Sequence, residues 1–148
     1  MLVLLGGQKN IVLGVAEPEK MTRRKLIILA RQIITLAKAN RIKKIALKLD
    51  EFAFPKLKIS KEEIAELLVT NFLMADFEFV KYKSKPKEGW NFVEAVTFTG
   101  NVSAAVKKAI PRGKTIGEEV NACRMLANTP GGEMTPDMLA REAVKAAK

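Results

Sequence analysis

The sequence predicts an α/β domain in which helices cover a mixed β-sheet. Helix-like and strand-like stretches alternate through the first hundred residues, as expected when strands and helices pack in layers. The apolar residues of the helix-like stretches recur at spacings of three and four, so each helix has one face to bury. After Val102 the pattern contains only helices, and we expect a C-terminal helical linker segment there.

The N-terminal stretches "LVLLGG" and "NIVLGV" predict two short strands. Both are apolar, and the Gly, Gln, Lys and Asn residues between them favour a turn, so a hairpin is one arrangement of the pair. The apolar run after Met1 is short and has no basic segment before it, unlike a signal peptide. We therefore assign this run to the sheet.

The next stretch predicts a helix followed by a strand. Thr22 is a suitable N-cap, and Asn40 ends the helical pattern. The apolar face of this helix consists of Leu26, Ile27, Ala30, Ile33, Ile34 and Ala37. "KKIALKLD" then predicts a strand, and Pro55 places "EFAFPKLKI" in a loop because it disfavours helix in the residue before it.

The clearest helix signal lies at "SKEEIAELLVTNFLMA", where Ser60 and Glu63 form a capping box. The apolar stripe of this helix consists of Ile64, Leu67, Leu68 and Phe72. The alternation of "FEFVKYK" predicts a strand, "SKPKEGW" a basic loop and "NFVEAVTF" a further strand.

The C-terminal part predicts three helical pieces. "VSAAVKKAI" and "KTIGEEVNACRMLA" are separated by a predicted break at "PRG", since proline disfavours a helix interior. The last helix follows the turn "NTPGGEMTP", with Thr135 as N-cap and Pro136 in the first helical position. Its apolar Met138, Leu139 and Val144 need a partner surface, and no later strand supplies one. This helix therefore has the pattern of an element that opens a further structural unit.

Composition excludes several kinds of active site. The chain has no histidine, the commonest metal ligand and general base. The single Cys123 excludes a thiolate cluster and, within a helical pattern, is expected to be buried and unreactive. The acidic pairs at 50–51, 62–63 and 118–119 are assigned to a loop entry, a helix cap and a helix surface. We predict no catalytic, metal-binding or substrate-binding residue in this chain.

The charge balance favours contact with polyanions, because 26 Lys and Arg residues against 16 Asp and Glu give a net charge of +10. The basic residues are spread along the chain, which favours a solvated basic surface over a dedicated nucleic-acid site. No apolar run reaches the roughly 20 residues that a membrane helix needs. The expected location is cytoplasmic.

Aromatic residues cluster around the basic loop and admit two interpretations. Interleaved with lysines, they could stack on single-stranded bases. The alternation favours instead Phe77 and Phe79 as one face of a strand that packs on the core. The cluster consists of Phe77, Phe79, Tyr82, Trp90, Phe92 and Phe98.

The segment "CRMLANTPGGEMTPDMLAREA" resembles the opening of the catalytic domain in leucyl aminopeptidases of the cytosolic, two-metal M17 family. "EEIAELLVTNFLMADFEFVKYKSKP" and "KLIILARQIITLAKANRIKKIALKL" are similar to parts of that family's N-terminal domain. The resemblance spans about residues 12–148, and the C-terminal segment quoted first is the part most specific to the family. The matching positions there are Arg124, Leu126, Asn128, Pro130, Thr135, Pro136, Leu139 and Ala140.

This resemblance implies a macrodomain-like domain over residues 1–101, linking helices over 102–127, and the first turn and helix of a truncated catalytic domain over 128–148. In the family, Lys, Asp and Glu side chains of the catalytic domain hold two divalent ions, zinc or manganese. Their Asn-Thr-Asp-Ala-Glu-Gly-Arg motif has no counterpart here, so no metal ligand is carried over. The chain is expected to be the non-catalytic N-terminal domain of a hexameric enzyme that removes N-terminal amino acids from peptides, and to be inactive alone.

Two other functions stay open. Some bacterial members of the family bind DNA through their N-terminal domains, and the net charge of +10 would suit a basic nucleic-acid-binding module. A macrodomain-like fold could also bind an ADP-ribose-type nucleotide, an idea that rests on fold analogy. Gly131 and Gly132 stand where many relatives have Pro-Asn, which leaves the peptide preference open.

Overall fold

A computed structural model describes residues 2–5, 8–15 and 17–147. Within these residues the strands are β1 (Leu2–Leu5), β2 (Gln8–Ile11), β3 (Lys44–Lys48) and β4 (Ala95–Thr99). The helices are α1 (Arg23–Ala39), α2 (Lys61–Asp76), α3 (Ala104–Asn128) and α4 (Pro136–Ala146). Short 3-10 turns lie at Pro18–Lys20, Leu49–Phe52 and Pro55–Leu57. The α/β prediction is confirmed.

The described strands form two separate two-stranded sheets, where the sequence predicts one mixed sheet. β3 and β4 are parallel, with Lys44 opposite Ala95 and Lys48 opposite Thr99. β1 and β2 form an antiparallel hairpin, with Gln8 already in the second strand. The predicted turn residues Gln8, Lys9 and Asn10 lie in β2, so this part of the turn prediction is wrong, and Gly6 and Gly7 lie outside the described residues. Residues 12–15, which the sequence places in the second strand, lie outside both sheets.

The predicted helix caps are confirmed. The Thr22 side chain accepts a hydrogen bond from the backbone N–H of Lys25 at the start of α1. Ser60 and Glu63 form both bonds of the capping box at the start of α2. Such caps satisfy backbone donors that have no partner inside the helix and favour these start points over neighbouring ones.

The core lies between α1, α2 and the inner face of the β3–β4 sheet. Its fully buried side chains include those of Leu26, Ile34, Leu49, Ile64, Leu68 and Val106. Ile45 and Leu47 of β3 pack against this core from one face of the strand, whereas Lys44, Ala46 and Lys48 are exposed on the other. The alternation follows from the two-residue period of a strand.

The prediction of a strand at "FEFVKYK" is wrong. Residues 77–80 have no regular structure, and Phe77 and Phe79 are only half-buried and lie outside the core cluster. The alternation is real, but a strand also needs a neighbour for its backbone hydrogen bonds, and the described residues provide none here. Side-chain contacts hold the segment instead.

Lys38, near the end of α1, holds this segment against the helices. Its Nζ donates to the backbone carbonyl of Asp76 at 2.9 Å and lies 2.6 Å from a Glu78 carboxylate oxygen. The same ammonium lies 5.2 Å from the centroid of the Phe92 ring. Asp76 Oδ1 in turn accepts a hydrogen bond from the backbone N–H of Val93 at 3.0 Å. The chain on either side of the basic loop is thereby tied to the ends of α1 and α2.

Asp76→Asn is expected to stabilise the fold at neutral pH. Burial raises the pKa of the Asp76 carboxyl above 3.8, although the Val93 N–H and Lys38 oppose the shift. A carboxyl whose pKa is higher in the folded state loses stability as pH rises from its unfolded to its folded pKa. Asparagine keeps a side-chain oxygen that accepts the hydrogen bond from the Val93 N–H. It carries no charge, so the loss of stability caused by burying the carboxylate does not occur. Urea denaturation of the wild type and the variant at pH 3 and pH 7 tests this prediction. A variant less stable than the wild type at pH 7 would contradict it.

The break predicted at "PRG" is wrong, because α3 continues through Pro111 to Asn128. Proline in a helix interior costs about 3 kcal/mol, so other interactions must offset it. Val106, Ala109, Gly113 and Gly117 are buried on one side of α3, and this packing spans the proline. Tertiary contacts therefore override the local preference for a break. In the described part of the chain, no helix has the length and apolar character needed to cross a membrane.

Candidate docking surface

Two glycines allow α3 to lie directly on α2. A Cβ added to Gly113 would meet the Glu66 carbonyl oxygen at 2.5 Å, and one added to Gly117 would meet the Leu73 side chain at 2.9 Å. Gly113 thus faces the first half of α2 and Gly117 the second, so the two helices run in the same direction. The Thr70 hydroxyl also donates to the carbonyl of Gly113 at 3.1 Å.

Side chains of α3 satisfy backbone carbonyls at the C-terminal end of α2. Asn121 Nδ2 donates to the Leu73 carbonyl at 2.9 Å, and Arg124 NH1 donates to the Met74 carbonyl at 2.8 Å. Arg124 also donates to Asn121 Oδ1 and lies over the Phe77 ring, 4.2 Å from its centroid. The last carbonyls of a helix lack partners within it and carry its negative dipole end, so a guanidinium is well placed there. Arg124 fixes the direction of α3 beyond the core.

Arg124→Lys is expected to destabilise the chain by about 1 kcal/mol, because lysine keeps the charge but cannot bond and stack in the same plane. Arg141→Lys is the matched control, since Arg141 is exposed on α4 and should change stability little. Chemical denaturation followed by circular dichroism compares the two. Equal midpoints for both variants would show that the Arg124 contacts contribute nothing.

The turn after α3 holds α4 on the surface through few contacts. Lys81 Nζ lies 2.7 Å from the Glu133 carboxylate, and this hydrogen bond lowers the pKa of the Glu133 carboxyl. An exposed pair of this kind contributes little to stability. Thr135 caps α4 through the N–H of Met138, as predicted.

The apolar side of α4 has no cover within the described residues, and no α4 residue is buried. Leu139 and Val144 are 52% and 60% exposed, and Met138 is also exposed. An apolar helix face left in water is typical of an interaction site. We name the exposed side chains of Met138, Leu139 and Val144 the α4 face.

Within the described residues, the carboxylates do not assemble into a site. Asp50 lies where β3 and β4 both end, but it bonds Lys61 Nζ at 2.5 Å and the backbone N–H of Asn101 at 3.3 Å. The Lys61 hydrogen bond lowers the pKa of the Asp50 carboxyl, and the contacts join both strands to the start of α2. Over residues 2–5, 8–15 and 17–147, no three His, Cys, Asp or Glu side chains are grouped to hold a metal ion. Cys123 is exposed, so its predicted burial is wrong: it lies away from the side of α3 that contacts α2.

The aromatic cluster does not form a stacking surface. Of its six residues only Tyr82 is exposed, and the ring centroids of Phe79 and Tyr82 are 5.6 Å apart in an edge contact. Trp90 and Phe92 are half-buried and contact each other, and Phe98 stacks on Phe72. The rings pack mainly on protein groups, which leaves little aromatic surface for nucleic-acid bases.

The fold and the surface together define an α/β domain in which the long helix α3 leads to the uncovered α4 face. The sequence profile described as "Cytosol aminopeptidase family, N-terminal domain" matches residues 4–86. The chain belongs to the cytosol aminopeptidase family, of which it carries the N-terminal domain.

Two curated relatives are named "Probable cytosol aminopeptidase". The one from Roseiflexus castenholzii is 35% identical over 103 residues, which cover 66% of this chain and 21% of the relative. The one from Rickettsia massiliae is 28% identical over 135 residues, which cover 90% of this chain and 26% of the relative. The chain thus spans about a quarter of the length of these relatives.

A solved structure shares the fold. It is described as bottromycin maturation enzyme BotP in complex with Mn, and it superposes with a TM-score of 0.70 at 16% sequence identity. The superposition covers 90% of this chain and 26% of the BotP chain. At this sequence identity the likeness concerns the fold alone.

Proposed function

We propose that this chain is the non-catalytic N-terminal domain of a metal-dependent leucyl aminopeptidase that removes N-terminal amino acids from peptides in the cytosol. The observation that carries the proposal is the uncovered α4 face at the end of a firmly fixed α3. The matched relatives are about four times longer than this chain. In this proposal their additional length forms the catalytic domain, and that domain covers the α4 face. Residues 1–101 then form the macrodomain-like domain, 102–127 the linking helix, and 128–148 the entry into the catalytic domain.

The two divalent ions implied by the family belong, in this proposal, to the rest of the protein. The described residues do not fit them, since they offer no group of three carboxylate or thiolate side chains and the chain has no histidine. BotP, of which 26% matches the fold of this chain, was solved in complex with Mn. In this proposal the role of the chain is structural. Arg124 and the glycine contacts fix the direction of α3, which leads to the α4 face. Assembly as a hexamer stays a prediction.

The test uses a chimera in which this chain replaces the corresponding part of the Roseiflexus castenholzii protein. We expect the chimera to release L-leucine from L-leucine p-nitroanilide with added Mn²⁺ or Zn²⁺, and the isolated chain to release none. Leu139→Asp should abolish release by the chimera, because a buried, unpaired carboxylate is costly, whereas the control Lys145→Gln should not.

Hydrolysis by the isolated chain would contradict the assignment as a non-catalytic domain. A chimera that folds and is equally active with Leu139→Asp would show that the α4 face is not the contact with the catalytic domain. The mass of the native protein that contains the peptide "LAREAVKAAK" adds a direct check, and a mass several times that of this chain is expected.

A further inference from the structure

One side of α3 stays apolar after the helix leaves the core. Residues seven positions apart lie close to the same side of a helix. Along one such series, Ala109 is 5% exposed, Ile116 is 43% exposed and Cys123 is exposed. Val120 and Ala127 continue the apolar side at spacings of four, three and four from Ile116. We name Ile116, Val120, Cys123 and Ala127 the α3 face.

The α3 face differs from the side of α3 that packs on α2. Three of its residues each come one position before a residue that contacts α2, so the two sides lie about 100° apart around the helix. These neighbouring pairs are Ile116 and Gly117, Val120 and Asn121, and Cys123 and Arg124. In the described part of the chain, α2 therefore leaves the α3 face open to solvent. An apolar stripe open to solvent is typical of a contact surface.

The α3 face by itself is too small to hold a separate partner. Its four side chains lie along about 17 Å of helix, and those of Cys123 and Ala127 are small. A stable interface between separate proteins buries about 800 Å² on each partner. The exposed Glu119 carboxylate on its flank also disfavours a polyanion such as nucleic acid. The α3 face therefore fits one part of a larger contact with a protein surface.

The α3 face leads directly to the α4 face. The helix α3 ends at Asn128, and α4 begins at Pro136 after the turn 129–135. A domain that covers the α4 face is thereby tethered close to the α3 face, at an effective concentration in the millimolar range. At such a concentration a small apolar area is sufficient for a stable contact.

We propose that the catalytic domain covers the α3 face as well as the α4 face, so that Cys123 is shielded in the longer protein. This inference rests on the proposed function, in which the additional length of the relatives forms that domain. The long helix α3 then has two contacts. Its glycine side packs on α2, and its apolar side packs on the catalytic domain.

The reactivity of the Cys123 thiol tests this contact. Cys123 is the single cysteine of the chain and lies in the tryptic peptide TIGEEVNACR. A brief pulse of N-ethylmaleimide, followed by unfolding, digestion and mass spectrometry of this peptide, gives the reaction rate. We expect rapid reaction in the isolated chain and reaction at least about tenfold slower in the Roseiflexus castenholzii chimera, since thiol reactivity depends on access. The same pulse applied to the native protein in a cell extract should also give slow reaction, whether or not the chimera folds.

Glu118→Cys combined with Cys123→Ser is the matched control. Glu118 is exposed and lies about 200° around the helix from Ile116, so this change moves the thiol to the opposite side of α3. The new cysteine stays within the same tryptic peptide. It should react equally fast in the isolated chain and in the chimera.

The outcomes separate this inference from the proposed function. Equal Cys123 rates in the isolated chain and in a chimera that hydrolyses L-leucine p-nitroanilide would overturn the inference and leave the proposed function standing. Slow reaction in a chimera without hydrolysis would support the contact and count against the proposed function. Slow reaction in the isolated chain that depends on its concentration would overturn the inference, because a second copy would then cover the α3 face. Rapid reaction in the native protein would also overturn it.

Discussion

Gly113→Ala is expected to destabilise the chain by about 2 kcal/mol, although alanine is the better helix former. The added Cβ would lie 2.5 Å from the Glu66 carbonyl oxygen and 3.0 Å from its Cα. Both are backbone atoms, so α2 and α3 must move apart. That movement also stretches the bonds of Asn121 and Arg124 to the end of α2. Urea denaturation followed by circular dichroism measures the loss.

Gly131→Ala is the control for this substitution. No atom lies within 4 Å of a Cβ at Gly131, and its φ is not positive. Alanine there should leave stability unchanged or raise it slightly by restricting the unfolded chain. If Gly113→Ala were as stable as Gly131→Ala, the close contact between α2 and α3 would not be present in solution.

Leu68→Ala is expected to cost about 4 kcal/mol, within the range for a leucine deleted from a packed core. The Leu68 side chain is fully buried in the cluster formed by α1, α2 and the sheet. Its removal leaves a cavity that the neighbouring side chains fill only in part. The midpoint of thermal or urea unfolding gives the loss.

Leu139→Ala makes the same chemical change on α4, where the side chain is 52% exposed. In the isolated chain it should alter stability by less than about 0.5 kcal/mol. A cost comparable to that of Leu68→Ala would mean that α4 already packs on a surface of this chain, which would contradict the α4 face as an uncovered site.

The parts of the fold that depend on neighbouring residues could be predicted from the sequence. Thr22, Ser60 with Glu63, and Thr135 each bond to a backbone group three residues away, so local spacing is sufficient to predict them. The buried faces of α1 and α2 follow in the same way from their apolar spacing.

The errors concern contacts between distant residues. The alternation at 77–83 predicted a strand, but no neighbouring strand pairs with it in the described structure. Pro111 predicted a break because the packing of α3 on α2 is invisible in the local sequence. Only the family resemblance points to Arg124, since its acceptor, the Met74 carbonyl, is 50 residues away. For the candidate site, the exposed apolar residues of α4 could be predicted, but the contacts that fix α3 could not.

The parallel arrangement of α2 and α3 has a consequence for folding kinetics. Consecutive helices that run antiparallel can close as a hairpin, whereas these two meet only after the chain between them has crossed back over the domain. The contacts that join them connect residues between 43 and 50 positions apart. During synthesis, the side of α2 that faces α3 therefore stays open to solvent until residues beyond 113 have left the ribosome. Premature termination before that point should yield a chain that aggregates.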